Sequence, residues 1–151
     1  MMEYFDSPAV RAAIAQIEEN RLGLAVLQGD EVVYTAMTSG ICSALELHDR
    51  HPELLRGAVV VDRIIGQAAA MIFADGGAAA IYGSVMNQTA QQALLAQGIA
   101  VRAGTTVNAI INRKGDGICP MEQAILGITR PEEGLPLLRA TVKRLMEENQ
   151  P

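Results

Sequence analysis

An α/β fold whose mixed sheet opens on an antiparallel hairpin and continues in parallel strands is what this 151-residue sequence predicts. Three observations carry that prediction. Ala58 to Val61 is an apolar run without polar alternation, the mark of a central strand covered on both faces. Gly29-Asp30 separates two strand-like runs by the two residues that suit a tight hairpin. Beyond Gly57 strand-like and helix-like segments alternate, and right-handed crossovers then align the strand carboxyl ends, near Asp62, Ser84 and Ala103, along one sheet edge. A ligand crevice belongs on such an edge.

The elements follow from local chemistry. Ser7 is an N-cap with Pro8 at the first helical position, and Val10, Ile14 and Ile17 recur at helical spacing, so a first helix is expected over Pro8 to Asn20. Leu22 to Gln28 and Glu31 to Met37 form the edge hairpin. Thr38-Ser39-Gly40 breaks the second strand, and Ser43 with Glu46 three residues on resembles a capping box for a helix over Ser43 to Arg50, stopped by Pro52. The central strand is expected to break at Asp62, which caps the small-residue helix that Asp75-Gly76-Gly77 ends. Ala78 to Ser84 reads as a second buried strand. Asn87 caps a helix bearing Ala90, Ala93 and Leu94 that ends at Gly98, and Ile99 to Ala103 is a last short strand. A loop is expected over Thr105 to Gly117. Cys119 and Pro120 start a short helix with Glu122 reaching back to the cap; Gly127 ends it. Thr129 with Glu132 then opens a final amphipathic helix striped by Leu135, Leu138, Val142 and Leu145.

Composition narrows the function classes. A chain of this size buries roughly 70% of its unfolded surface, and residues 1–151 are expected to form one domain. No apolar run approaches the ~20 residues that span a bilayer, and the opening segment is acidic where a signal peptide is basic, so no membrane partner and a cytoplasmic location are expected. Two cysteines, Cys42 and Cys119, suit a reducing compartment. A net charge of −5 without a basic block, and few aromatic residues, argue against nucleic acid as a partner. Abundant Ala and Gly imply close packing of small surfaces, which often continues into a homo-oligomer.

Candidate site residues lie at the predicted crevice. Asp62, Gly66 and Gln67 stand where a strand end meets a helix start, and backbone N–H groups with the positive dipole end point there. Asn112, Arg113, Lys114 and Asp116 combine a carboxamide, two cations and an acid around Gly115 and Gly117, which suits a loop wrapping an anion but is also an ordinary charged turn. Cys119, at a helix start beside cations, is a candidate nucleophile and is expected to be more reactive than Cys42. A buried or capping thiol is the simpler role, because no His is placed as its base. Asp62 is the other catalytic candidate, with helix capping as its structural role.

Four segments together resemble a known family: Ser39-Gly40-Ile41, Gly57 to Asp62, Ile65 to Ala70, and above all Ile111 to Glu122. The chain is similar there, from about Leu22 to Leu126, to the domain-of-unknown-function family 1893 of small prokaryotic proteins. The resemblance implies a cytidine-deaminase-like fold, with three αβα layers around the mixed sheet, and adds Ser39 and Gly40 to the expected ligand residues. It implies no activity. A zinc deaminase also needs His or Cys with a nearby Glu at one helix start and Pro-Cys-x-x-Cys at the next. Ser39 to Cys42 and Arg63 to Gln67 fill those places with at most one thiol, and His51-Pro52-Glu53 stands apart from any Cys-x-x-Cys, so neither a metal nor another cofactor is expected. Three functions stay open: binding of a small anionic ligand such as a nucleotide, metal-free catalysis through Cys119 or Asp62, and assembly.

Overall fold

The computed structural model describes residues 4–38, 40–112 and 114–148. After a 3₁₀ turn at Tyr4–Asp6 the elements run α1 (Pro8–Glu18), β1 (Leu24–Gln28), β2 (Glu31–Ala36), α2 (Ile41–Arg50), α3 (Pro52–Leu55), β3 (Val59–Ile65) and α4 (Gln67–Asp75). They continue as β4 (Ala80–Asn87), α5 (Gln88–Ala96), β5 (Ala100–Val107), α6 (Pro120–Ala124) and α7 (Pro131–Glu148). The sheet order is β2-β1-β3-β4-β5; β1 is antiparallel to β2 and β3, whereas β3, β4 and β5 are parallel. This is the mixed sheet with a leading hairpin that the apolar patterning predicts.

The central strand explains the layering. Val59 and Val61 point to one face and pack with Val10, Ala13 and Ile17 of α1, while Val60 points to the other and joins a core with Leu47, Ile72, Phe73 and Leu138. Alternate side chains of a strand face opposite ways, so a run that is apolar at every position must be covered twice. Helices therefore lie on both sides, with α1 on one and α2, α4, α5, α6 and α7 contributing to the core on the other.

Several boundaries differ from expectation, each for a local reason. Strand β3 does not break at Asp62: pairing with β4 continues through Ile64↔Val85 and Ile65↔Met86, and backbone pairing outweighs the polar residue. Asp62 is accordingly not a helix cap. It is 2% exposed inside the strand, its Oδ1 accepts from Arg63 N at 2.7 Å, and Gly66 is the N-cap of α4. Strand β5 likewise runs past Ala103, because Thr105, Thr106 and Val107 keep pairing with β4. Helix α2 starts at Ile41 and Ser43 falls inside it, since Ile41 already packs on the core with Ala44, Leu45 and Leu47. Pro52 both stops α2 and opens the single turn α3. Helix α7 begins at Pro131, not Thr129, and Glu132 accepts from Arg130 Nε at 2.9 Å instead of closing a capping box. Ser7 and Asn87 are N-caps as expected, their side chains accepting from Val10 N and Ala90 N.

Candidate functional site

Helices α2 and α4 both begin at a glycine, Gly40 and Gly66, and both glycines line one cavity of about 850 Å³ at the end of β3. Helix N-termini present unpaired N–H groups and a partial positive charge, so two of them opening on one cavity favour negative charge within it. Gly40 has no side chain to cap α2. The end of α4 is different. The Glu122 carboxylate, arriving from α6, accepts from Gln67 N at 2.7 Å and from Ala68 N at 2.8 Å. The capping box expected between Cys119 and Glu122 is thus not formed; Glu122 caps another helix, and Cys119 makes no side-chain cap bond. The close fit explains Gly66: a Cβ there would lie 2.5 Å from Glu122 Oε1.

The loop after β5 also lines this cavity. Ile111 and Ile118 form an antiparallel bridge, closed by Asn112 N to Gly117 O at 2.8 Å and Cys119 N to Ile110 O at 2.9 Å. At its tip Gly115 takes φ 74°, where a side chain would be strained. Asn112 Nδ2 donates to Asp116 Oδ1 at 2.9 Å, and Asp116 N donates back to Asn112 Oδ1 at 3.2 Å. These two expected ligand residues therefore hold the turn as well as lining the cavity. Lys114 lines it too and, among the described residues, enters no salt bridge. Ile41, Ile64, Ile110, Ile111, Met121 and Leu145 make the apolar walls. Ile64 and Ile111 remain 41% and 54% exposed.

Gly40, Gly66, Asn112, Lys114, Asp116 and Cys119 are thus brought to one cavity. Asp62 is not among the residues that line it, being enclosed within β3. Gln67 gives its N–H to Glu122 and lines a separate groove of about 280 Å³ with Ala70, Ala93 and Pro131. Ser39 and Arg113 lie outside the described residues. Cys119 is not alone at a helix start: Cys42 falls in the first turn of α2 and is the more exposed thiol, so the expected order of reactivity rests on Lys114, which lines the cavity with Cys119 and not with Cys42.

Groups with shifted protonation form clusters elsewhere. His48 Nε2 lies 2.7 Å from Asp75 Oδ2 and its Nδ1 lies 2.9 Å from Asp49 Oδ1, while Arg139 donates twice to Asp49, at 2.9 and 2.7 Å. Burial draws the His48 pKa down, but the hydrogen bonds of Asp75 and Asp49 outweigh it and the pKa is raised. The Arg139 guanidinium holds Asp49 down at about 2. This cluster ties α2, α4 and α7 together. On the α1 side, burial and the 2.7 Å bond from Tyr82 to Glu18 push the Tyr82 phenol up to about 12.

The described residues do not fit a deaminase zinc. Among those described, no group of three or more His, Cys, Asp and Glu could hold a metal ion, and the two helix starts offer only backbone, Cys42 and Glu122. Among the described residues no helix is long and apolar enough to cross a membrane.

Fold and site define a mixed-sheet α/β protein with a partly apolar cavity at two helix N-termini. The sequence profile of a domain of unknown function, DUF1893, matches residues 12–142, and the chain belongs to that family. A DUF1893 family protein from Thermotoga maritima, known from its crystal structure, has a TM-score of 0.77 and 23% identity over 92% of this chain and 91% of its own. At that identity the likeness concerns the fold. No curated protein matches the sequence.

Proposed function

We propose that this protein binds a small anionic ligand, a nucleotide or related phosphorylated molecule, on a cytidine-deaminase-like scaffold that has dispensed with zinc. The observation that carries the reading is the shared cavity: α2 opens on it at Gly40-Ile41 with Lys114 among the lining residues. The anion sits at the α2 end, where backbone N–H groups and the dipole supply donors, and Lys114, lining the same cavity, adds positive charge to it. The two carboxylates of the lining, Asp116 bonded to Asn112 and Glu122 bonded to the N–H groups of α4, keep their negative charge, so the reading puts the anion away from them. The isoleucine-rich walls take the apolar body of the ligand, and a cavity of about 850 Å³ falls within the range of small-molecule sites. The scaffold reading is supported by the leading hairpin, the parallel β3-β4-β5 order and the two helix starts facing one cavity. A cytosolic homo-oligomer belongs to the same reading.

Thermal shift measurements against nucleotides and sugar phosphates test it, because a ligand that binds only the folded state raises Tm with the logarithm of its concentration over Kd. A ligand that raises the Tm of the wild type by several degrees and that of Lys114→Ala much less supports the site. One that raises both equally excludes Lys114, and no rise across the panel overturns the reading. Catalysis is the second reading, favoured by one observation: Cys119 lines the cavity and Asp62 does not.

A further inference from the structure

We propose that Glu122 sets the ligand class of the cavity: its carboxylate accepts a hydrogen bond from a nitrogen donor, so the ligand carries an amino or amide N–H group as well as an anion. The inference rests on the anion-binding reading above and adds a second recognition point to it.

Glu122 is half-buried and lines the cavity, yet its carboxylate is oriented by α4, one oxygen taking Gln67 N and the other Ala68 N. A carboxylate oxygen has two lone-pair sites, and each oxygen accepts one backbone N–H here, which leaves acceptor capacity on a group at the cavity wall. That acceptor is preorganised. Rotation is opposed by two charge-assisted bonds, and the missing Cβ of Gly66 lets the carboxylate lie flat against the start of α4. The same geometry closes the α4 end to a ligand anion, since its first N–H groups are occupied and the occupant is itself negative. The two helix starts are therefore inequivalent: α2 offers N–H donors and α4 offers an acceptor. Ile64, Ile110 and Met121 also line the cavity and, being apolar, give no hydrogen bond to the carboxylate when a ligand lacking a donor displaces its water. A polar group that a ligand covers discriminates against an analogue that returns no hydrogen bond for the water it displaces.

The probes are adenosine 5′-monophosphate and purine riboside 5′-monophosphate, which differ only in the 6-amino group, titrated calorimetrically into the protein. The wild type is expected to bind the amino compound about tenfold more tightly or better, and Glu122→Gln to bring the two within about threefold, mostly by weakening the amino compound. Equal affinities in the wild type overturn the inference and leave the anion site standing, whereas no binding of either probe overturns both. A preference unchanged in Glu122→Gln also overturns it. Should that variant fail to fold, Asp116→Asn decides: the preference persists if Glu122 is the acceptor, and its loss assigns the donor contact to Asp116 and overturns the inference.

Discussion

Gly66 and Glu122 stand 56 positions apart in the sequence and meet at the start of α4, and a double-mutant cycle between them measures that contact. Glu122→Ala removes two short charge-assisted bonds, at 2.7 and 2.8 Å, to part-buried N–H groups. Side-chain caps are worth about 0.5–2 kcal/mol and the dipole contribution about 0.3–1 kcal/mol. The freed N–H groups regain water at the cavity, so a loss of about 2 kcal/mol is expected. Gly66→Ala reaches the same end by another route. The backbone there, φ −100° and ψ −170°, admits alanine, so the cost comes from the new Cβ at 2.5 Å from Oε1, which expels the carboxylate and forfeits about the same 2 kcal/mol. With the carboxylate already gone the Cβ meets none of the three atoms that crowd it, all of which belong to Glu122. The double variant is then expected to lose about 2 kcal/mol rather than 4, a coupling of about 2 kcal/mol. Urea unfolding of the four proteins reads this through the midpoints at constant slope. Additive losses in the double variant would refute the capping contact.

Other expectations concern pH and the thiols. The raised pKa of His48 means that its contribution to stability is fully present below about pH 6.5, the unfolded value, and is lost as pH rises through the higher folded value. Asp49 works in the opposite direction: with a folded pKa of about 2 its contribution is present above about pH 4 and is lost as pH falls toward 2. Melting curves should therefore show the His48 cluster contributing most between these limits, and His48→Gln should flatten the alkaline limb; an identical alkaline slope in the variant would remove the cluster from the account. Cys119 lines the cavity, so a bound nucleotide should slow its alkylation relative to the ligand-free protein. Mass-spectrometric labelling that shows equal rates at Cys119 with and without ligand would place the ligand elsewhere.

Apolar periodicity and turn chemistry made most of the fold legible. The run Ala58 to Val61, the Gly29-Asp30 turn and the caps Ser7 and Asn87 each act within a few residues, and each corresponds to a structural feature. Strand ends were harder to read, because β3 and β5 are extended by pairing with β4, and a polar Asp62 or a Thr-rich segment gives no local sign of its partner. Of the expected ligand residues, Gly40, Gly66, Asn112, Lys114 and Asp116 do line one cavity, where glycine and charge coincide in the sequence, whereas Asp62 and Gln67 do not. The apolar walls of that cavity were not legible, since Ile64 and Leu145 look like any core residue until the chain folds. Glu122 was misread for a similar reason: its spacing from Cys119 suits a local capping box, whereas its partners Gln67 and Ala68 lie 55 and 54 residues away. His48 gave no signal either, as Asp75 and Arg139 come from distant helices.

A two-dimensional amide NMR titration of the 16.1 kDa protein with adenosine 5′-monophosphate tests the central claim most directly. Ligand at the cavity is expected to shift the amides of Ile41 and Cys42 at the start of α2 together with those of Lys114 and Cys119, leaving Val10 and Ile17 of α1, across the sheet, unmoved. A saturating titration with no change at Ile41 and Cys42, or with changes confined to the Gln67 and Ala93 groove, would contradict it.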